Sequence, residues 1–406
     1  MIKWQQVKLG DIASNIQTGP FGSQLHQSDY SEIGTPVVMP KDLVDGKISE
    51  QSIARVEASH VKRLAKHKIQ NGDILYSRRG DVGRCAYAGK EESGWLCGTG
   101  CLRVTIDESH AFPKFIFYQL QTSKSVGWVK KHAVGSTMLN LNTSILSNVP
   151  VSLPPLEVQR KIADVLSTYD DLIENNRKQI KLLEEAAQRL YKEWFIDLRF
   201  PGHENTKIID GIPEGWDRKK LGEWVNTFSG GTPSRKNKEF YQNGSNFWLK
   251  TQELTDCFIF ETEEKITDRA IEHSSAKYIY PNSIIMAMYG ATIGKLGIAA
   301  TRLTCNQACC VFDLSSDFEK MPYLYLWLKS NRDFFVSQGI GSAQSNLSQA
   351  MIKNFDIIVP CQTTLSNFSP IATKIFAKIL KLQKSVKEAK NAQDRLLSKL
   401  MTANWR

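Results

Sequence analysis

Trp4-Gln5-Gln6-Val7-Lys8-Leu9-Gly10-Asp11 returns later in the chain as Trp216-Asp217-Arg218-Lys219-Lys220-Leu221-Gly222-Glu223. The repeat does not stop there. Cys97-Gly98-Thr99-Gly100-Cys101 comes back as Cys305-Asn306-Gln307-Ala308-Cys309, and Gly135-Ser136 through Asn140-Leu141 as Gly341-Ser342 through Asn346-Leu347. One unit is therefore written twice in 406 residues, which makes an internal pseudo-dimer. The copies share their scaffold residues and differ in their loops. A molecule of that kind suits a target with two unlike halves at a fixed spacing, and DNA is the first such target.

Each copy closes with a heptad. In the first, apolar residues fall at Ile162, Leu166, Tyr169, Ile173, Asn176, Ile180, Leu183, Ala187, Leu190 and Trp194, with Asn176 the polar member. The second reads Ile375, Ile379, Leu382, Val386, Ala389, Gln393, Leu396 and Leu400. Steps alternating between four and three residues mark a coiled-coil seam and not merely an amphipathic face. A helix of about 40 residues spans roughly 60 Å. One constant offset carries Tyr169 to Ile375, Ile180 to Val386 and Leu190 to Leu396, so the helices are copies too. The reading predicts that they pair within the chain as an antiparallel coiled coil. The rival arrangement is two helices that each dock on their own domain.

Ahead of each helix the chain reads as mixed α+β. Val37–Met39, Ile74–Tyr76 and Leu102–Ile106 are short strands, Phe115–Leu120 is a helix after Pro113, and Val149–Leu153 is a closing strand. The second copy repeats this with Phe247–Leu249, Ile284–Met286 and Val311–Phe312 as strands, Pro322–Leu328 as a helix and Phe355–Val359 as the closing strand. Four segments result, with boundaries at 1–153, 154–200, 201–360 and 361–406.

Composition narrows the function. A formal net charge of +10 and a pI near 9.1 favour phosphate-rich partners without proving them. Met1-Ile2-Lys3-Trp4 leads into a polar segment unlike a signal peptide, and no apolar run approaches membrane-span length. The eight cysteines lack the spacing of a disulfide scaffold, so the expectation is a reduced, cytoplasmic protein.

Catalytic signatures are near misses. Gly290-Ala291-Thr292-Ile293-Gly294-Lys295-Leu296 imitates a phosphate loop, but it has three residues between its glycines where four are needed. Leu296 also stands where a magnesium-binding hydroxyl belongs. A strand-to-strand turn is the better reading. The Cys97/Cys101 and Cys305/Cys309 pairs could ligate zinc, but they occupy equivalent repeat positions and should lie far apart, so packing as small buried thiols is preferred. The seven histidines form no metal motif. No metal, catalytic residue or cofactor site is assigned to this chain.

Basic residues gather in loops: Arg78, Arg79 and Arg84; Lys62, Arg63, Lys66, His67 and Lys68; Lys130, Lys131 and His132. In the second copy come Arg235, Lys236, Lys238, Lys250, Lys295 and Arg302. Arginine forks onto guanine edges, whereas lysine mostly meets phosphate. The candidate DNA-binding residues are Thr18, Gly19, Ser23, Arg78, Arg79 and Arg84 in the first copy. In the second they are Ser229, Gly230, Thr232, Arg235 and Lys295, the glycines allowing close backbone approach. The second heptad also carries Lys374, Lys378, Lys381, Lys384, Lys387 and Lys390, which suit either a solvated flank or an acidic partner.

The order of globular unit, helix, globular unit and helix resembles the specificity subunit of type I restriction–modification systems. The most specific stretch is Glu193-Trp194-Phe195-Ile196-Asp197-Leu198-Arg199-Phe200-Pro201-Gly202-His203. It is followed by Gly211-Ile212-Pro213-Glu214-Gly215-Trp216 and Lys220-Leu221-Gly222. Asn140-Leu141-Asn142 through Leu153-Pro154-Pro155-Leu156-Glu157 and Gln159 is similar to the family's approach to its first helix. The chain departs from the pattern at Val359-Pro360-Cys361-Gln362, which lacks the second proline and the Glu-x-Gln element, and has no Pro-Glu-Gly before Trp4. The resemblance implies a non-catalytic subunit whose two target recognition domains each read half of an interrupted, asymmetric DNA site. The helices would act as spacer and as platform for two modification subunits. Those would carry S-adenosylmethionine and methylate adenine, and a restriction subunit would bring ATP- and magnesium-dependent translocation and cleavage. The competing class is a coiled-coil interaction scaffold with incidental basic charge. A self-contained nuclease–methyltransferase is disfavoured by the missing motifs.

Overall fold

The computed structural model describes residues 4–135, 138–340 and 346–402. The repeated Ser136, Gly341 and Ser342 lie outside the described residues. Two compact units divide the chain at Leu172/Ile173 and Glu388/Ala389. The first combines the residues up to Leu172 with those from Ala389 onward, and the second is Ile173–Glu388.

The centre of the first unit is an antiparallel sheet in the order Ala13–Thr18, Cys101–Ile106, Ile74–Ser77, Cys85–Tyr87. A second sheet runs Leu96–Cys97, Thr35–Val38, Ala54–Val56, Tyr30–Ser31. The opening strand Gln5–Lys8 pairs antiparallel with the closing strand Pro150–Leu153. Beneath the central sheet lies the helix Pro113–Leu120, whose Pro113 occupies the first turn, where its missing amide costs nothing. Phe115, Ile116, Leu102, Val104 and Leu9 share one core, each fully buried. Burying a side chain of that size is worth about 1.5–3 kcal/mol.

The second unit repeats the plan. Its main sheet runs Thr227–Ser229, Cys309–Phe312, Ile284–Ala287, Leu296–Ala299, Cys257–Ile259. Its smaller sheet runs Glu264–Ile266, Asn246–Leu249, Thr304–Cys305, and Asp217–Lys220 pairs with Asp356–Val359. The helix Met321–Ser330 takes the place of Pro113–Leu120. Cys257–Ile259 adds a fifth strand, parallel to Leu296–Ala299, where the first unit has only the hairpin of Leu43–Val44 and Lys47–Ile48.

The repeated residues do repeated work. The Lys8 amide donates to Asp11 at 2.8 Å and the Lys220 amide to Glu223 at 3.2 Å, starting the same short helix turn. Asn142 caps Thr143–Ser147 through the Ile145 amide at 2.8 Å, and Ser348 caps Gln349–Lys353 through the Met351 amide at 3.2 Å. Gly290-Ala291-Thr292 is a helical turn between two strands, as the spacing of its glycines implies. Cys97, Cys101, Cys305 and Cys309 are all fully buried.

The first long helix, Leu156–Tyr191, runs on into a π-turn at Lys192–Ile196, and the second spans Gln362–Leu400. Within the second unit, Asn176 meets Ser385 at 3.0 Å, while Trp194 packs its ring against Phe368 at 5.6 Å. An early residue of one helix faces a late residue of the other, so the pairing is antiparallel. Within the first unit, Gln393 donates to the Leu166 carbonyl at 3.0 Å and to Asp170 at 2.6 Å. There Leu396 and Leu400 pack on the core that holds Ile162 and Leu166. Of the heptad positions, Ile173, Asn176, Ile379 and Leu382 are buried, and Ile180, Leu183, Leu190, Val386 and Leu396 are half-buried. No described helix is long and apolar enough to cross a membrane.

Candidate nucleic-acid interface

The two units build the same backbone cradle. In the first, the Gly19 amide donates to the Cys101 carbonyl at 2.9 Å and the Arg78 amide to the Gly100 carbonyl at 2.8 Å. In the second, the Gly230 amide donates to the Cys309 carbonyl at 3.3 Å and the Met288 amide to the Ala308 carbonyl at 2.9 Å. A loop after one strand and a turn after another are thereby fixed to both sides of the buried-cysteine turn. The glycines are required. A Cβ on Gly19 would sit 1.9 Å from the Gly98 oxygen, and one on Gly230 would sit 2.3 Å from the Cys305 and Asn306 oxygens.

The cradle extends to a third segment. The Leu141 amide donates to the Arg78 carbonyl at 2.8 Å, and the Leu347 amide to the Met288 carbonyl at 2.8 Å. Arg79 bridges to Asn140 and Tyr289 to Asn346. The following Gly80 and Gly290 both turn through positive φ, 75° and 63°. At the far end, the Ser77 amide meets the Arg84 carbonyl and the Ala287 amide the Lys295 carbonyl, both at 2.9 Å. Arg78, Arg79 and Arg84 thus correspond to Met288, Tyr289 and Lys295.

Side chains on this shared frame differ. In the first unit Thr18 and Gly19 end a strand, Ser23 is exposed in the next loop, and Phe21 beside it is 55% exposed. Arg78 lies with its guanidinium 5.9 Å from the Phe21 ring, and Arg79 is exposed. The structure therefore brings Thr18, Gly19, Arg78 and Arg79 to one place. The Arg84 side chain turns elsewhere. It pairs with Asp81 at 3.4 Å and lines a cleft of about 380 Å³ with Lys130, Asp170, Lys390 and Gln393.

In the second unit the loop after Gly230 is folded down and locked. Trp248 donates its indole proton to the Gly231 carbonyl at 3.0 Å, and the Tyr241 hydroxyl donates to the Pro233 carbonyl at 2.6 Å. Arg235 stacks over Tyr241 at 4.3 Å and pairs with Glu264 at 2.7 Å. Thr232 hydrogen-bonds Gln307, and Ser229 donates to Gln349 at 3.2 Å. Lys295 lies 3.9 Å from Asp256, which Arg332 grips with both guanidinium nitrogens. Ser229, Gly230 and Thr232 are brought together with Gln307, whereas Arg235 and Lys295 are each tethered to a carboxylate.

Several surface groups gave no charge signal in the sequence: Phe21, Asn140, Gln307 and Tyr289, the last 39% exposed. The signal that finds them is register, because Tyr289 occupies the slot of Arg79. Burial pushes the Cys97 and Cys310 thiols up to about 12, and the Cys305 thiol is pushed up by its hydrogen bond to Cys309 and by burial. Such thiols pack as small buried groups. Among the described residues no group of three or more His, Cys, Asp or Glu side chains could hold a metal.

A family model described as the type I restriction modification DNA specificity domain matches residues 1–185 and 213–387, one stretch for each copy. The MjaIX specificity subunit of a type I restriction enzyme of Methanocaldococcus jannaschii is 28% identical over 411 residues, covering 99% of this chain and 94% of the relative. The HindI specificity subunit of Haemophilus influenzae is 24% identical over 469 residues and covers 99% of both chains. Among solved structures, the S subunit of a type I restriction–modification system from M. genitalium has a TM-score of 0.64 at 15% identity. It covers 100% of this chain and 97% of its own, a likeness of fold.

Proposed function

The chain belongs to the family of type I restriction–modification DNA specificity subunits, and on that premise we propose that each of its two cradles reads one half of an interrupted, asymmetric DNA site. The subunit supplies sequence specificity and not chemistry. Residues 1–153 and 201–360 serve as the two target recognition domains, with 154–200 and 361–406 as the helices that join them. The observation that carries this reading is the cradle itself, kept hydrogen bond for hydrogen bond while its exposed side chains change. Selection for two different targets on one scaffold leaves that pattern.

Contact falls to Thr18, Gly19, Ser23, Arg78 and Arg79 in the first domain and to Ser229, Gly230 and Thr232 in the second. Arg84, Arg235 and Lys295 contribute positive potential from their tethered positions. Two linked modules gain effective concentration when both half-sites are present at the correct spacing. The partners are double-stranded DNA, two modification subunits that carry S-adenosylmethionine and flip an adenine out for methylation, and restriction subunits that use ATP and magnesium. The assembly works in the cytoplasm.

Sequencing the native genome for modified bases, with and without this gene, tests the reading. An interrupted methyladenine motif that disappears on deletion is the expected result. A motif that persists after deletion, with no second specificity gene to account for it, contradicts the assignment.

A further inference from the structure

Arg78 and Asn140 each hold a side-chain polar atom that the protein leaves unsatisfied, on two segments joined backbone to backbone. Arg78 Nε and Asn140 Oδ1 are both buried without a hydrogen-bond partner. The segments carrying them are joined by the Leu141 amide on the Arg78 carbonyl and by the Arg79–Asn140 bridge. Phe21 walls one side of the guanidinium. A buried polar atom without a partner is destabilising, and where the donor and the acceptor lie on joined loops beside exposed residues such as Phe21 and Arg79 an incoming group can complete them. The other unsatisfied side-chain atoms among the described residues, on His67, Tyr76 and Arg103, belong to buried residues of the interior. Phosphate would satisfy the donor alone. A G·C base pair satisfies both, because its major-groove edge presents guanine O6 and N7 as acceptors and the cytosine N4 amino group as a donor.

Resting on the reading of the chain as a specificity subunit, we propose that Arg78 and Asn140 together read one G·C pair in the half-site taken by the first domain. Arg78 forks onto guanine, and Asn140 Oδ1 accepts from cytosine N4. Arg79, exposed on the next residue of the turn, takes a phosphate. The second domain has no such reader at the matched position, because Met288 is 2% exposed and is followed by Tyr289. The turn that is anchored by the same backbone hydrogen bonds in both units is therefore a point at which the two half-sites diverge.

The test is selection from a pool of randomised DNA duplexes by the full complex with its modification subunits. The wild type selects an interrupted motif with an invariant G·C pair in one half. R78K, which keeps the charge and loses the fork, lowers the preference for that pair by about 5- to 150-fold, and N140A relaxes the cytosine side. N140D, which keeps the acceptor, retains it. R79A selects the same bases but binds more weakly, with a salt dependence reduced by about one phosphate contact. The motif in the other half stays intact in every variant and reports that the protein is folded. Retention of the G·C pair by both R78K and N140A, or equal relaxation of both halves, overturns the assignment while leaving the specificity role standing. Failure of the wild type to select any interrupted motif overturns both.

Discussion

The middle strands of the two main sheets keep one register and differ in side-chain chemistry. In the first unit Arg103 sits opposite Leu75 on the middle strands, 3.6 Å from Asp73, and both charged side chains are almost fully buried. In the second unit the same positions hold Val311 opposite Ile285, with Ser283 in place of Asp73. Burial raises the Asp73 carboxyl above its ordinary value, partly offset by the Thr105 hydroxyl, the Gln70 amide and the Arg103 charge. One sheet thus tolerates a buried ion pair or an apolar pair at its middle. Backbone ladders and turns define the scaffold, and even core side chains are exchanged between copies.

The largest expected effect follows from that pair. R103M removes the charge that faces the buried Asp73 and leaves its carboxyl only the Thr105 and Gln70 hydrogen bonds, and should cost the first unit about 3–5 kcal/mol. The double change D73S/R103V imports the residues of the second unit and should come within about 1 kcal/mol of wild type. Denaturant unfolding, with hydrogen exchange of Cys101–Ile106 identifying the unit, measures both. An equal cost for single and double variants would show that the pair itself stabilises the fold.

Two aspartates in left-handed turns, Asp45 and Asp256, at φ 50° and 62°, are held by unlike partners. Asp256 accepts from Arg332 at 2.9 Å and from the Leu296 amide at 3.0 Å, and its side chain is 19% exposed. Asp45 faces Lys390 at 3.6 Å, and both are about half exposed. D256A should cost about 2 kcal/mol because it strands a half-buried arginine, and D45A less than about 1 kcal/mol. Thermal unfolding of the two variants side by side sharpens or breaks the contrast.

Each unit also has a polar residue on its heptad seam, Asn176 in the second and Gln393 in the first. N176A should cost about 1 kcal/mol by stranding Ser385, and N176L/S385A should be no less stable than wild type. Circular dichroism melting curves test this.

The smallest effect concerns Glu184. Burial raises its carboxyl above the ordinary value, Lys329 lowers it in part, and Asp256 raises it again. A raised carboxyl contributes stability that is present below the unfolded value of about 4.5. That contribution is lost as pH rises through the folded value. E184Q should therefore match wild type at low pH and exceed it at pH 8 by less than about 1 kcal/mol. The corresponding position on the second helix is Lys390, which faces Asp45 and should show no such gain when made neutral.

The parts of the fold legible in sequence were those with a period. Both long helices, the Pro113 helix and the buried strands carry apolar patterns that their neighbours cannot disguise. The strand Ala13–Thr18 was not legible, because Ser14, Asn15, Gln17 and Thr18 are polar on an edge that pairs on one side. The helix Ser123–His132 was missed for a similar reason, its clearest mark being the Thr122 cap. The second long helix starts at Gln362 and carries Pro370 near its start. There Phe368 is fully buried and Ser369 donates to the Glu319 carbonyl at 2.7 Å, contacts that override the local penalty.

In the proposed interface the sequence marks basic loops but not the fate of their charges. Arg63 donates to the Gln24 carbonyl at 2.7 Å, and Lys250 is held by Glu263 and Glu264 at about 3 Å. Their partners are remote in sequence, so a basic cluster and a structural clamp look alike until the chain is folded. Arg235, between Tyr241 and Glu264, is the clearest case. Asn140 and Tyr289 carried no charge to mark them and emerged only from the matched turns.

Two copies of one scaffold are expected to read two different half-sites independently. The most direct measurement is the methylated motif of cells whose only copy of the gene encodes R78A/R79A. The expected result is that bases change or relax in one half of the motif while the other half and the spacer stay as they were. Equal loss across both halves would contradict it and point to a shared electrostatic surface.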